Sequence, residues 1–142
     1  MLWRKHMRTR LRPRAVQVFK SSTTIINMSG ATELVVDVET LPDGFILRPK
    51  GDVDMARSPA LRIKLTEALK GKPTRLVVDL SDVPYMDSSG LATLIEALQT
   101  TRKNKIKFIV CNLSPRVRSI LEIARLTTVF TVVDNRDQAI KA

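Results

Sequence analysis

Cysteine, histidine and aromatic residues are nearly missing from this 142-residue sequence, which has one Cys, one His and 4% aromatics. A single cysteine excludes an intrachain disulfide framework of the kind that staples small secreted domains. Cys111 closes the apolar run Phe108-Ile109-Val110 and is read as a buried small hydrophobe. The one histidine, His6, lies in a basic leader, so the periodic part of the chain has no base for a Ser-His-Asp or Cys-His arrangement. No Cys/His cluster has zinc-ligand spacing, and neither G-x-G-x-x-G nor G-x-x-x-x-G-K-[ST] occurs. Asp52 and Asp54 are the closest suggestive acidic pair, and they read as a polar loop ahead of a helix rather than as a metal site. No apolar run approaches the ~20 residues of a membrane span, and no apolar block of about 7–15 residues follows the cationic start as in a secretory signal. These absences disfavour a hydrolase or a nucleotide-binding enzyme. They lead us to expect a cytoplasmic chain with no metal and no cofactor.

The charge is uneven. Met1–Asn27 carries seven basic side chains (Arg4, Lys5, Arg8, Arg10, Arg12, Arg14, Lys20) and no acidic one, leaving 17 of the 24 basic and all 14 acidic residues downstream. The net charge of +10 therefore belongs mostly to the leader. Residues 1–28 are expected to be a disordered basic extension and 29–142 a folded domain. Such an extension suits a nucleic acid or an anionic membrane, but Trp3 and Phe19 are too few for a stacking platform. The favoured reading is a plain leader, or a natural start at Met28.

Downstream, strand and helix patterns alternate. Leu34–Val38 reads as a strand, Pro42-Asp43-Gly44 as a turn in which Asp43 can bond its own backbone and Gly44 accepts φ > 0, and Phe45–Lys50 as a half-buried strand completing a hairpin. Ser58 with Pro59 predicts a helix start, with Ser as N-cap, followed by the stripe Leu61, Leu65, Ala68, Leu69. Gly71 and Pro73 end it. Leu76–Leu80 is a short apolar strand. Leu91, Leu94, Ile95 and Leu98 lie on one helical face. Phe108–Cys111 is a strand, Ser114-Pro115 opens a helix striped by Val117, Ile120, Leu121 and Ala124, and Phe130–Val133 is a last strand. A short helix is expected from Arg136. Short continuous apolar strands alternating with helices predict a mostly parallel, helix-covered sheet with the opening hairpin as an antiparallel edge.

Chemistry is concentrated in Asp87-Ser88-Ser89-Gly90, which follows a strand and opens a helix. Partners approach the carboxyl ends of strands in such a sheet. Asp and Ser are also preferred helix N-caps, so capping alone accounts for the residue types. The two roles are compatible: with Asp87 or Ser88 as cap, Ser88 being the expected helper, Ser89 falls in the first turn with its hydroxyl toward solvent. There is no capping box, because neither Gly90 nor Leu91 is Glu or Gln.

Three segments in order closely resemble the STAS-domain anti-sigma-factor antagonists of bacteria. They are Gly51-Asp52-Val53-Asp54, then Asp79-Leu80-Ser81-Asp82-Val83-Pro84-Tyr85-Met86-Asp87-Ser88-Ser89-Gly90-Leu91, then Ser114-Pro115-Arg116-Val117-Arg118-Ser119-Ile120-Leu121. The resemblance spans about Glu33 to Ala139. It implies the STAS-type α/β fold and a partner-switching role. The unphosphorylated protein would bind an anti-sigma factor that is a serine kinase, freeing the sigma factor. The kinase, which holds the ATP and magnesium, would phosphorylate Ser89 and dissociate, and a serine phosphatase would reset the switch. Asp54 matches the family's loop aspartate, and Asp87, Ser88 and Gly90 would share the partner surface with it. An alternative is a STAS subunit of a stress-signalling complex or lipid-transport ATPase, acting without phosphorylation. Ala92 departs from a common glycine. Arg125 stands where a helix-ending glycine is common, which requires a left-handed Arg or a different helix end. The short final helix is a third departure.

Overall fold

The protein is described by a computed structural model covering residues 23–26 and 33–142. Residues 1–22 and 27–32, with most of the expected extension, lie outside the described residues. Six strands form one sheet in sequence order: β1 (Thr23–Ile26), β2 (Glu33–Leu41), β3 (Gly44–Lys50), β4 (Arg75–Asp79), β5 (Lys107–Cys111) and β6 (Thr131–Val133). β1–β2 and β2–β3 pair antiparallel, and β3 to β6 pair parallel. The helices are α1 (Ser58–Lys70), α2 (Ser88–Lys103), α3 (Pro115–Ile123) and α4 (Arg136–Lys141). The expected mixed sheet with an antiparallel edge is present. The sheet nevertheless starts before the expected boundary near Met28, because β1 pairs Thr23 with Val36 and Ile26 with Glu33.

Strand side chains point alternately to the two faces, and here both faces are covered. Leu76, Val78, Phe108 and Val110 join the core under α1, α2 and α3 with Leu61, Leu65, Leu94, Leu98, Val117 and Leu121. Val77, Ile109 and Cys111 turn the other way and meet Ala139 of α4. This two-sided burial explains why β4 and β5 are continuous apolar runs. It also corrects the reading of β3 as half-buried: Ile46 and Leu47 are both in the core, on opposite faces.

Three local expectations are also revised. Gly44 is not at positive φ; its place is set by closeness, since a Cβ there would lie 1.7 Å from the Arg75 carbonyl oxygen. Asp43 does not bond its own turn. Its carboxylate accepts from Arg75 Nε at 3.0 Å, and its carbonyl accepts the N–H groups of Thr74 and Arg75, tying the hairpin to β4. Ser58 is the first residue of α1 and buried, not its cap.

Among the described residues, no helix is long and apolar enough to cross a membrane. Cys111 is fully buried, and burial, assisted by the Asp79 charge, pushes its thiol up to about 12.

Candidate functional site

A loop after β3 and a loop after β4 meet at the carboxyl ends of the strands and build the site. Gly51 N–H donates to the Asp82 carbonyl at 2.8 Å, Val53 N–H to Tyr85 at 3.0 Å, and Asp87 N–H returns to Val53 at 3.1 Å. Val53 and Met86 form a short parallel bridge and are both buried. The sequence segments Gly51–Asp54 and Tyr85–Gly90 are therefore two edges of one surface.

Gly90 makes this junction possible. A Cβ at Gly90 would lie 2.9 Å from Met86 Cγ, Val53 Cγ1 and the Val53 carbonyl oxygen. The residue sits in the first turn of α2, so the helix start packs directly on the Val53 loop.

Asp87 is the N-cap of α2, in extended conformation. One carboxylate oxygen, Oδ1, accepts the N–H of Ser89 at 2.8 Å, the hydroxyl of Ser89 at 2.5 Å and the N–H of Gly90 at 3.3 Å. The Ser89 hydroxyl is the main reason the Asp87 carboxyl is held below the ordinary carboxylate range. Burial opposes it, and the backbone amides of Ser89, Gly90 and Met55 reinforce it. The cap role expected to involve Ser88 thus belongs to Asp87, while Ser88 is exposed as the first helical residue. Ser89 is half-buried rather than turned freely to solvent, its hydroxyl oriented by Asp87.

Asp54 is brought to the same surface but points elsewhere. Its carboxylate accepts the N–H groups of Ala56 and Arg57 at 3.1 and 3.0 Å, closing the turn that leads into α1. Its chain neighbours make the link: Val53 accepts the Asp87 N–H, and the Met55 amide faces the Asp87 carboxylate. Among the described residues, no group of three or more His, Cys, Asp or Glu side chains is placed to hold a metal.

Further side chains complete this surface. Met55 is 76% exposed beside the motif, a large apolar side chain on an otherwise polar rim. The Arg116 guanidinium lies over the Tyr85 ring, 4.8 Å from its centroid. Ser114 caps α3 as expected, accepting from Val117 N–H at 3.2 Å, and its hydroxyl also donates to the Pro84 carbonyl. That second bond joins the third sequence segment to the other two. An exposed Met two residues after Val53 was the one cue available, because apolar residues in polar loops are candidates for contact surfaces.

A half-buried serine thus sits at a helix start, on the strand-end face of a mixed sheet. The model of the STAS domain matches residues 35–139, and the chain belongs to the STAS-domain family. It is 25% identical over 108 residues to the anti-sigma F factor antagonist of Paenibacillus polymyxa, covering 75% of this chain and 92% of that protein. It is 29% identical over 97 residues to the anti-sigma-B factor antagonist of Bacillus subtilis, covering 68% and 88%. An anti-sigma factor antagonist from Mycobacterium paratuberculosis has a solved structure similar to this one, with a TM-score of 0.69 and 25% identity, covering 86% of this chain and 93% of that one.

Proposed function

We propose that the protein is an anti-sigma factor antagonist whose binding is switched by phosphorylation of Ser89. The observation that carries this reading is the single hydrogen bond from Ser89 Oγ to Asp87 Oδ1 at 2.5 Å. It orients a half-buried hydroxyl on the face that the family's partners would meet. In the unphosphorylated form the surface around Ser88, Ser89, Gly90 and Asp54 docks on an anti-sigma serine kinase and releases the sigma factor. ATP and magnesium belong to that kinase. This chain contributes an acceptor and a surface, not catalysis, and works in the cytoplasm.

Phosphorylation changes the site in a definite way. Transfer of the γ-phosphoryl group from the kinase's ATP breaks its bond to the departing ADP, forms the Oγ–P bond and releases the hydroxyl proton, so Ser89 can no longer donate to Asp87. The phosphate brings about −1.5 to −2 charges to within reach of an ionised carboxylate. Repulsion turns it away from Asp87 and outward, toward the partner. The Ser89 and Gly90 amides still cap on Asp87, so the helix start survives, and its dipole tolerates the added charge. Like charge and bulk across an interface cost several kcal/mol, and each ~1.4 kcal/mol is a tenfold loss of affinity. A serine phosphatase then restores the hydroxyl.

Phosphate transfer from the cognate kinase to wild type and Ser89→Ala tests the assignment. The variant is expected to take up no phosphate, and undiminished incorporation overturns the reading. Ser89→Asp is expected to stay folded and lose kinase binding.

A further inference from the structure

The helices after β3, β4 and β5 return antiparallel to the strands, so α1, α2 and α3 all end at one pole, opposite Ser89. α4 ends there as well: the Ala142 carbonyl accepts from Arg75 Nη1 at 2.7 Å and Lys107 Nζ at 3.2 Å, at the first residues of β4 and β5. Beyond each of the first three helices stands a residue in left-handed conformation: Lys72 at φ 49°, Lys105 at φ 57° and Arg125 at φ 60°. Glycine is the default at such positions because any Cβ is strained there. All three positions hold a long cation instead. Attraction to the helix dipole does not explain the choice in α1 and α2, because Lys70 and Lys103 already occupy their last turns.

With Arg102, Lys107 and Lys141, this pole carries eight exposed cations, and none of them pairs with an acidic side chain among the described residues. Of the acidic side chains at this end, Asp43 is engaged by Arg75 and Glu67 by Lys64, and Glu122 stands exposed on the last turn of α3. Apolar side chains are interleaved. Ile123 is 82% exposed, Ile140 41% and Val129 37%, three of the five exposed large apolar residues among those described. Lysines outnumber arginines in this cluster, whereas the arginine fork suits nucleic-acid phosphates. No aromatic ring among the described residues is exposed to stack on bases.

We propose that this pole is a docking surface for an anionic phospholipid bilayer. Lys72, Lys105 and Arg125 reach the headgroups, and Ile123, Val129 and Ile140 enter the interface. Docked this way, the chain turns the Ser89 pole away from the lipid, where a partner has access.

Sedimentation of the full chain with vesicles tests this. Binding is expected to vesicles of equal phosphatidylethanolamine and phosphatidylglycerol, absent with phosphatidylcholine, and weakened by salt. Each cation at a charged membrane is worth about fivefold, so Lys72→Gly/Lys105→Gly/Arg125→Gly is expected to lose on the order of 100-fold. Glycine fits the left-handed backbone, so the thermal midpoint of this variant should hold or rise, which separates lost charge from lost fold. The basic residues before Met28 are common to both proteins and cancel from the comparison. Ser89→Asp is expected to bind vesicles like wild type. Unchanged vesicle binding by the triple variant overturns the proposal. So does failure to bind anionic vesicles combined with binding of duplex RNA that the triple variant loses, which would assign the pole to nucleic acid.

Discussion

Asp87 and Ser89 are joined twice through one oxygen: Asp87 Oδ1 accepts both the Ser89 N–H, at 2.8 Å, and the Ser89 hydroxyl, at 2.5 Å. One carboxylate thereby starts a helix and orients a hydroxyl. The residue that answers the structural need of α2 is also the residue that presents the serine.

The Ser89 hydroxyl is the largest contribution holding the Asp87 carboxyl low. In Ser89→Ala, the Asp87 pKa is expected to rise toward 3.8, its ordinary value, as read by NMR titration of the Asp87 carboxyl carbon. A carboxyl whose folded pKa is depressed stabilises the fold above its unfolded pKa, and the benefit is lost as pH falls through the folded pKa. The variant should therefore lack part of this benefit at neutral pH and lose less stability as pH falls through the carboxylate range. An unmoved Asp87 titration would show that the hydroxyl bond is absent in solution.

Asp87 caps α2 through the amides of Ser89 and Gly90. Replacing it with Ala is expected to cost about 1 kcal/mol, within ~0.5–2. Asp87→Asn should recover much of that loss, because its side-chain oxygen can still accept. Thermal or urea denaturation of the two variants measures the difference.

Gly90→Ala places a methyl 2.9 Å from Val53 and Met86 atoms, one of them a backbone oxygen. Backbone cannot step aside as a side chain can, so about 1–3 kcal/mol of destabilisation is expected. The bridge between Val53 and Met86 should loosen first. Faster amide hydrogen exchange at Val53 and Asp87, with little change in β4 and β5, is the local signature.

Cys111 is sealed under α4 with its thiol pushed up to about 12. At pH 8 it should resist a thiol reagent in the folded protein and react promptly in denaturant. Since the folded thiol keeps its proton more tightly than the unfolded one, this group lowers stability as pH rises past the ordinary thiol value near ~8.5. Fast labelling of the native protein would contradict the burial of β5.

The order of strands and helices was legible because each element carries a local signature. Leu91, Leu94 and Leu98 mark the covered face of α2, and Ser114 with Pro115 marks a capped helix start. The same local signals misled at Ser58, where the residue before Pro reads as a cap yet Asp54 closes the preceding turn. Spacing cannot reveal that an oxygen four residues upstream has already taken the amides. In Phe45–Lys50, Arg48 and Lys50 suggest an exposed face that the fold does not leave open. Asp37 pairs with both of those cations at the sheet edge, while α4 and the neighbouring strands cover Ile46.

What the sequence determined by itself was the alternation of elements, the lack of a histidine or a second cysteine downstream of Met28, and the position of Ser89 in the first turn of a helix. These follow from composition and from interactions within a few residues. Only the tertiary structure decided that Asp87 rather than Ser88 is the cap, that Val53 and Met55 share its surface, and that Gly90 must lack a side chain. It alone gathered Lys72, Lys105 and Arg125 at one pole. Those relationships depend on contacts between segments distant in the chain, and they exist only once parallel strands align their ends and the returning helices end together.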